Sequence, residues 1–305
     1  MEDKYSEMKL NISALIEKQD KKLKQYNPRA ISKGSWLLNL IKLYFRGFLI
    51  KTGIHKRLIY SNFSLSWFYN FRNYWTNELG GRPINPHDFY FLFCHYRQKY
   101  QDLEVREGAT AEEFLKTWQD YRHIYSVFSS VFKTALQPLN VYKFARYIPK
   151  RALVCEYGCG IAPIAQGLIK YYSHKKLKIH CADIPNFLFH FARWNLRNYD
   201  FVKFIKIIPG DEGPLKDNYD VITLLTVLEH LPDPLAIVKH LCERLNPNGI
   251  LIFDYIKGEA EGLDTKKGAS ERNEVLNFIE KNFEILKGRI DYKDSMGLTA
   301  AKKKI

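Results

Sequence analysis

Short apolar runs alternate with amphipathic segments along the second half of the chain, from about Arg151 onward. Apolar runs bounded by turn residues predict buried strands, and apolar positions three and four residues apart predict helices. The predicted strands are 152–157, 177–182, 202–208, 219–227 and 249–255, and the helices between them are 162–172, 186–198 and 233–245. A last helix at 271–282 precedes two more strands, 283–288 and 297–304. This order predicts an α/β fold in which βαβ units build a mostly parallel sheet.

The first half of the chain has a different pattern, which is mainly helical. Helices are predicted at 5–25, 35–50, 87–101 and 110–136. The last of these opens at Thr110, with Glu113 three residues later, which is the spacing of a capping box. We therefore expect a helical N-terminal extension joined to the α/β half.

The predicted helix 35–50 is the most apolar of these, but Asn39, Lys42 and Arg46 form one polar stripe along it. It is shorter than the roughly 20 residues that span a bilayer, and a cation at the bilayer centre is costly. Two interpretations remain open. The helix lies in the plane of a membrane surface, or it packs on the protein with its basic stripe in solvent.

The composition is that of a globular protein, with 46% hydrophobic and 26% charged residues in a chain of 305. This is enough apolar material for a sizeable core, and it excludes a disordered, collagen-like or disulfide-scaffold chain. The five cysteines are scattered, and the chain does not open on the basic and apolar segments of a secretory signal. Both observations lead us to expect a cytoplasmic location.

The net charge of +14 is concentrated in the first half of the chain. Residues 1–150 contain 24 Lys+Arg and 13 Asp+Glu, a net of +11, whereas residues 151–305 contain 23 and 20, a net of +3. Between Lys21 and Thr76 there are eleven basic residues, thirteen aromatic residues and no acidic residue. Such a stretch suits nucleic acid, an anionic membrane surface or a phosphorylated glycan carrier.

The sharpest local signal is a glycine turn between the first predicted strand and the helix that follows it. From Leu153 to Ala162 the sequence reads LVCEYGCGIA, so an apolar strand runs through two glycines directly into a helix. Glycines permit backbone angles denied to other residues and let a ligand approach the main chain. The dinucleotide-binding fingerprint requires a small residue where this chain has Pro163. The pattern is instead E-x-G-x-G-x-A, beginning at Glu156.

Further motifs follow in order along the α/β half. The second strand ends at Asp183, and Gly210-Asp211-Glu212 follows the third strand. The fourth strand leads into V-L-E-H-L-P-D-P at 227–234, and L-N-P-N-G at 245–249 leads into the fifth. With the glycine turn, these motifs resemble the class I S-adenosylmethionine-dependent methyltransferases, in the branch that acts on small molecules, over about residues 150–305.

The resemblance implies a Rossmann-like, mostly parallel sheet with an antiparallel strand near the C-terminus, and S-adenosylmethionine as the cofactor, with S-adenosylhomocysteine as its product. In the family, the acid at the end of the second strand accepts hydrogen bonds from two ribose hydroxyls, a role that transfers to Asp183. The acid after the third strand meets the adenine amino group. Asp211 matches that position better than Glu212, which replaces the usual small residue. The expected donor-binding residues are Glu156, Gly158, Cys159, Gly160, Asp183, Ile184, Asp211, Glu212 and Thr226.

His230 is the candidate general base for catalysis. It follows the fourth strand at its C-terminal end, where open α/β sheets bind their ligands. A hydroxyl acceptor must lose its proton, and an imidazole has a pKa near working pH. Glu229 is expected to orient His230 or to contact the donor, and a structural role for His230 remains the alternative. No metal site is expected, because the cysteines and histidines lack the spacing of a metal site.

The sequence therefore predicts a methyltransferase domain at 126–305 and a helical accessory region that holds the acceptor at 1–125. O-methylation of a small molecule is favoured, with a sugar or lipid-linked glycan precursor as acceptor. No Asn-Pro-Pro-Tyr-type segment, the family pattern for base amines, follows the fourth strand. An RNA methyltransferase that uses the basic half as a clamp is one alternative. A non-catalytic donor-binding scaffold is another, and contact of residues 21–76 with an anionic membrane on the cytoplasmic face remains open.

Overall fold

A computed structural model of the chain describes residues 6–24, 41, 66–136, 140–211, 213–258 and 262–304. The chain falls into two compact units. We call one the helical unit, which consists of Met1–Asp102, Gln119–Leu139 and Asn186–Asn195. We call the other the sheet unit, which consists of Leu103–Trp118, Asn140–Pro185 and Leu196–Ile305.

Helices account for most of the described part of the first half, and strands alternate with helices in the second. The α-helices are α1 (Ile12–Lys24), α2 (Ser66–Asn73), α3 (Pro86–Tyr100), α4 (Ala111–Trp118), α5 (Ile124–Leu136), α6 (Pro163–Tyr172), α7 (Phe187–Asn195), α8 (Pro234–Arg244), α9 (Lys266–Ser270) and α10 (Arg272–Asn282). The strands are β1 (Leu153–Tyr157), β2 (Lys178–Asp183), β3 (Val202–Lys206), β4 (Tyr219–Leu224), β5 (Leu245–Tyr255), β6 (Phe283–Lys287) and β7 (Met296–Lys303). A π-helical turn, Tyr74–Glu78, follows α2, and short 3-10 turns include Tyr121–His123 and Leu228–His230.

The strands form one seven-stranded sheet in the order β3-β2-β1-β4-β5-β7-β6. The strands β1 to β5 run parallel, and β7 pairs antiparallel with both β5 and β6. The predicted mostly parallel, Rossmann-like sheet with an antiparallel strand near the C-terminus is confirmed. The strand order reverses between β1 and β4, so the carboxyl ends of these two strands form the switch point where open α/β sheets bind ligands.

The central strands are buried on both faces of the sheet. Val221 and Ile222 are successive residues of β4 and point to opposite faces, yet both are fully buried. The same holds for Leu251 and Ile252 of β5, which are at most 1% exposed. Burial on both faces explains why these strands read as continuous apolar runs in the sequence rather than as alternating patterns.

An aromatic core centred on Phe71 of α2 stabilises the helical unit. The Phe71 ring is fully buried, and its centroid lies 4.8 Å from that of Phe128, 5.3 Å from that of Phe89 and 6.4 Å from that of Phe191. Tyr74 packs edge-on against Phe191 of α7 at 4.9 Å. Aromatic rings at such separations stabilise a core beyond the area that they bury.

This core corrects one part of the expectation for the basic-aromatic stretch 21–76. Its described aromatic residues include four that are at most 1% exposed, namely Phe68, Phe71, Tyr74 and Trp75. Because these rings are buried inside the helical unit, they form part of its core and not of a ligand-binding surface. The segments 25–40 and 42–65, and with them nearly all of the predicted helix 35–50, lie outside the described residues.

The single helix predicted over 110–136 is wrong, because the chain breaks between α4 and α5. Asp120 is extended, with ψ 138°, and its carboxylate accepts a hydrogen bond from the backbone N–H of Arg122. A side chain that binds the backbone in this way competes with helical hydrogen bonding.

The predicted capping box is confirmed: the Thr110 N–H donates to Oε2 of Glu113 at 2.9 Å, and the Glu113 N–H donates to Oγ1 of Thr110 at 3.2 Å.

The helix α2 was not predicted from the sequence, whereas α3, α6, α7, α8 and α10 lie within a few residues of their predicted bounds. Among the described residues, no helix combines the length and the apolar character needed to cross a membrane.

Replacing the central ring of the aromatic core tests its importance. We expect Phe71→Ala to lower the free energy of unfolding by about 3–5 kcal/mol, because a fully buried ring is replaced by a cavity. Urea denaturation followed by tryptophan fluorescence measures this. The matched control is Tyr69→Ala on the same helix, where the side chain is 53% exposed and the expected change is about 0.5 kcal/mol. Equal effects of the two variants would contradict the assignment of the core.

Candidate active site

The strand β1 leads into a tight turn before α6 begins at Pro163. Gly158, Gly160 and Ala162 in this turn have φ values of +63°, +53° and +56°, in the left-handed region that favours glycine. A Cβ atom on Gly158 would lie 2.4 Å from Cγ2 of Val227, which follows β4. The turn after β1 and the chain after β4 therefore touch at the switch point, and only glycine satisfies both the backbone angle and this contact.

Glu156 is buried beneath the turn, with both carboxylate oxygens engaged by the start of α6. Oε1 accepts a hydrogen bond from the Ile164 N–H at 3.0 Å, and Oε2 accepts one from the Ala165 N–H at 2.8 Å. Burial raises the pKa of Glu156 to about 8, while these two hydrogen bonds oppose the shift. The carboxylate therefore pins the first turn of α6 to the end of β1 and satisfies two backbone donors that the helix leaves unpaired.

Asp183 lies at the end of β2 and is 8% exposed. Its Oδ2 accepts a hydrogen bond from the Gly160 N–H at 2.7 Å, and its Oδ1 accepts one from the Ile184 N–H at 2.7 Å. Burial raises the pKa of Asp183 to about 7, against the effect of both hydrogen bonds. The carboxylate is fixed beside the glycine turn, and each oxygen keeps a second acceptor direction for a ligand.

Cys159 connects the glycine turn to β2 through its backbone. Its side chain is 2% exposed, and its N–H donates to the carbonyl oxygen of Ala182 at 3.1 Å. The structure thus brings together six of the predicted donor-binding residues, Glu156, Gly158, Cys159, Gly160, Asp183 and Ile184.

Asp211 lies in the turn after β3, where its Oδ1 accepts a hydrogen bond from the Gly213 N–H at 2.9 Å. Burial raises the pKa of Tyr157, and the charges of Asp183 and Asp211 add to that shift. Both carboxylates therefore lie within electrostatic range of the end of β1. Glu212, the other acid of the predicted motif, lies outside the described residues.

Thr226 follows β4 in a strained backbone conformation, with φ +56°. Its N–H donates to Oδ1 of Asp254 at 2.6 Å, a hydrogen bond that fixes the left-handed residue to β5. Burial raises the pKa of Asp254. Positive φ in a β-branched residue is rare, and strain of this kind is concentrated at functional sites.

His230 occupies the 3-10 turn Leu228–His230 after β4, and its side chain is 27% exposed. Its Nδ1 lies 3.1 Å from the carbonyl oxygen of Leu263 and 3.0 Å from Oδ1 of Asp264. Burial alone would lower the pKa of His230, but the hydrogen bond to Asp264 and the charges of Glu229 and Asp264 outweigh burial and raise it.

Glu229 is buried beside His230, at 3% exposure. Its Oε1 lies 3.9 Å from Nε2 of His230, and its Oε2 has no hydrogen-bond partner among the described residues. Burial raises the pKa of Glu229 to about 7, although the neighbouring His230 opposes that shift. Burying a carboxylate oxygen without a hydrogen-bond partner costs free energy, so such groups are rare. Where they occur, they are concentrated at functional sites.

The segment 103–118 places an aromatic ring beside His230. The ring of Trp118, at the end of α4, meets the His230 ring edge to face with their centroids 5.6 Å apart. The backbone N–H of Val105 donates to the carbonyl oxygen of Gly262 at 2.8 Å, which joins this segment to the loop that also carries Asp264. Trp118 therefore lies beside the candidate base without belonging to any sequence motif.

Three residues of this arrangement were not predicted from the sequence, namely Trp118, Asp254 and Asp264. One signal was available for Asp254, which is an acid near the end of a strand in the run ILIFDY. No local pattern marks Trp118 or Asp264, because tertiary folding alone brings them to His230.

Residues 133–283 match the model of a family described as a methyltransferase domain. Together with the sheet order and the donor-side geometry, this match shows the class of protein. The chain carries a domain of the class I S-adenosylmethionine-dependent methyltransferases.

Two similar proteins are both named ubiquinone biosynthesis O-methyltransferase. The one from Shewanella sp. (strain ANA-3) is 37% identical over 169 residues, which cover 52% of this chain and 65% of that protein. The one from Histophilus somni (strain 2336) is 25% identical over 158 residues, covering 51% of this chain and 65% of that protein. The match thus spans slightly under two thirds of the length of either relative.

Among solved structures, the chain is similar to 1,6-didemethyltoxoflavin-N1-methyltransferase from Burkholderia thailandensis, determined with 1,6-didemethyltoxoflavin and S-adenosylhomocysteine bound. The TM-score is 0.45 at 14% sequence identity, and the match covers 66% of this chain and 94% of that one.

The cofactor of this class of domain is S-adenosylmethionine, and the donor side of the site fits it. A ribose diol requires a fixed pair of acceptor oxygens, and the Asp183 carboxylate supplies them beside the turn of Gly158 and Gly160. The left-handed turn lets a ligand approach the main chain without meeting a side chain at either glycine. These residues would therefore hold the donor between the ends of β1 and β2.

A side chain at Gly158 should disrupt the donor side. We expect Gly158→Ala to weaken binding of S-adenosylhomocysteine by at least about tenfold, because the new Cβ meets Val227 at 2.4 Å at a position with φ +63°. Calorimetric titration measures the affinity. The control is Gly297→Ala, where a Cβ has no neighbour within 4 Å and no positive φ is required. The double variant with Val227→Ala should recover only part of the loss, since the backbone strain remains. Unchanged binding by Gly158→Ala would contradict the assigned turn.

Proposed function

We propose that this protein transfers a methyl group from S-adenosylmethionine to a hydroxyl oxygen of a small molecule. The observation that carries the donor assignment is the Asp183 carboxylate, which two backbone N–H groups hold at the glycine turn. The observation that favours oxygen as the accepting atom is His230, a histidine at the switch point with a carboxyl group on each side. The names of the two relatives, both O-methyltransferases, support the same choice.

The donor-binding residues divide by how they act. Asp183 accepts hydrogen bonds from the ribose hydroxyls, and Asp211 accepts one from the adenine amino group. Glu156 acts indirectly, because both of its oxygens are engaged by α6 and it fixes the turn rather than touching the donor. Cys159, Ile184 and Thr226 contribute mainly by shaping the backbone around the donor. The role of Glu212 stays a prediction from the family resemblance.

When bound, the donor supplies a methyl group that is already electrophilic, on a sulfonium whose sulfur keeps the bonding electron pair. The protein therefore has two tasks, to hold the acceptor in line and to remove its proton. Positioning of this kind supplies on the order of 7–11 kcal/mol in favourable model systems. Among the described groups, we expect Trp118 and the 3-10 turn of His230 to position the acceptor.

His230 takes the proton of the acceptor hydroxyl, and Glu229 stabilises the resulting imidazolium. The carboxylate of Glu229 lies 3.9 Å from Nε2 of His230. At that distance the attraction between the opposite charges is stronger than in bulk water, because Glu229 is buried. A base with a pKa near working pH is the most efficient choice, and an imidazole meets that condition.

The proposed acceptor is a small molecule with a free hydroxyl group. The sequence favours a sugar or lipid-linked glycan precursor, and the relatives' names add the hydroxyl compounds of ubiquinone biosynthesis. Transfer of labelled methyl groups to three separate pools, phenolic compounds, saccharides and RNA, decides among them. Label in a phenolic or saccharide product supports the proposal. Label only in RNA supports the clamp alternative, and no transfer to any pool by a chain that binds the donor supports the scaffold alternative.

The ribose-binding role of Asp183 is testable without an acceptor. We expect Asp183→Ala to weaken S-adenosylhomocysteine binding by about 100-fold or more, because two hydrogen bonds to a charged group are lost. Calorimetry measures the affinity, and thermal unfolding without ligand checks that the variant still folds. Asp200→Ala, at an exposed position before β3, is the matched control. Retention of wild-type affinity by Asp183→Ala would remove this residue from the site.

The catalytic role of His230 requires a different measurement. We expect His230→Gln to lower the rate of methyl transfer by about 10²- to 10⁴-fold, the usual contribution of a general base. Binding of S-adenosylhomocysteine should stay at the wild-type level, because His230 does not touch the donor-binding turn. Single-turnover transfer of labelled methyl groups to the accepted pool gives the rate. A variant that transfers at the wild-type rate would show that His230 is structural.

A further inference from the structure

The loop after β5 presents two oxygens to one nitrogen of His230. The carbonyl oxygen of Leu263 lies 3.1 Å from Nδ1, and Oδ1 of Asp264 lies 3.0 Å from the same atom. A backbone carbonyl only accepts hydrogen bonds, and so does an ionised carboxylate. In the neutral ring the proton must therefore sit on Nδ1, which leaves the lone pair on Nε2.

We propose that Asp264 is a positioning residue for the methyl-transfer reaction. It holds the His230 proton on Nδ1 and so makes Nε2 the atom that accepts the proton of the acceptor hydroxyl. This inference rests on the proposed function for its consequence in catalysis, but the geometry of the pair stands on its own. In the reaction, the hydroxyl O–H bond breaks and its electrons stay on the oxygen. That oxygen bonds to the methyl carbon as the bond from this carbon to the sulfonium sulfur breaks, its electron pair stays on the sulfur of the leaving S-adenosylhomocysteine, and the proton bonds to Nε2.

Three contacts fix the ring in this orientation. Asp264 and Leu263 hold the Nδ1 edge, and Trp118 meets the ring at a centroid distance of 5.6 Å. Gly258 leaves the space that the Asp264 carboxylate occupies, since a Cβ atom there would lie 2.2 Å from Oδ2 of Asp264. The arrangement therefore depends on a residue without a side chain at 258.

The charged groups that face the ring determine how it titrates. Among the described residues these are Asp264 at Nδ1 and Glu229 at Nε2, and Asp254 acts on Glu229. Both carboxylates favour the imidazolium, and together they raise the pKa of His230 despite its burial. Removing the charge of Asp264 therefore lowers that pKa. Because the neutral ring is the active base, the acidic limb of the rate profile moves to lower pH, even though the maximal rate falls.

The test combines nitrogen-15 NMR of the histidine side chains with pH profiles of single-turnover methyl transfer, using the full chain. Comparison with His230→Gln identifies the His230 signals among the nine histidines. We expect wild-type protein to show the Nδ1–H tautomer. In Asp264→Asn, the titration midpoint of His230 and the acidic limb of the rate profile should both move to lower pH. The maximal rate should fall about tenfold or more, as part of the contribution of a general base is lost.

Two further variants separate positioning from a loss of folding. Gly258→Ala keeps the charge of Asp264 but pushes its carboxylate aside, and it should shift the His230 midpoint in the same direction as Asp264→Asn. Asp200→Asn, an exposed acid before β3, should leave the midpoint and the rate unchanged. Binding of S-adenosylhomocysteine should match the wild type in all three variants.

The outcomes distinguish this inference from the proposed function. A wild-type Nε2–H tautomer, or a His230 midpoint that does not move in Asp264→Asn, would overturn the positioning role. The NMR shifts expected above support that role even in a protein that transfers no methyl group to any pool. The absence of methyl transfer to every pool would contradict only the proposed function.

Discussion

The contact between the turn after β1 and the chain after β4 is the constraint on which the candidate site depends. Gly158 has no side chain, and Val227 packs into the space where one would lie. This contact brings the donor-side turn to the segment that carries Glu229 and His230. Glu156 supports it from beneath, since its buried carboxylate holds the first turn of α6 in place. A side chain at position 158 would therefore push the two segments apart.

The proposed donor side and the proposed acceptor side of the site are built from different ranges of the sequence. The donor side is local, because Glu156, the glycine turn and Asp183 lie within 28 residues of one another. The acceptor side gathers Trp118, His230 and Asp264 from segments far apart in the chain. A short turn and two adjacent parallel strands therefore fix the donor side. The acceptor side depends on how the segment 103–118 and the loop after β5 pack.

That difference explains how much of the molecule could be predicted. The sheet was predictable because burial on both faces makes each central strand a continuous apolar run, and the motifs around Gly158 and Asp183 follow strands in a fixed order. The helix break at Asp120 was not, because a single side chain competes there with the helical backbone. The positions of Trp118 and Asp264 beside His230 were not predictable either, because no local pattern marks these residues.

The helical unit shows that amino-acid composition alone does not reveal whether aromatic residues lie in a core or on a surface. Its rings at Phe68, Phe71 and Trp75 have helical spacing, yet the excess of basic and aromatic residues between Lys21 and Thr76 favoured a ligand-binding surface. The structure buries these rings in an aromatic core. Phe71 packs against Phe128 and Phe191, Trp75 packs against Phe128, and Phe68 packs against Phe89. Aromatic content alone does not separate a core from a binding surface.

The central claim is that one site holds the methyl donor at Asp183 and presents its sulfur toward His230. A crystal structure of the full chain with S-adenosylhomocysteine tests this most directly. We expect both ribose hydroxyls within hydrogen-bond distance of the Asp183 carboxylate, and the sulfur on the side of the ligand that faces Nε2 of His230. A ligand whose ribose lies away from Asp183, or whose sulfur faces away from His230, would contradict the account.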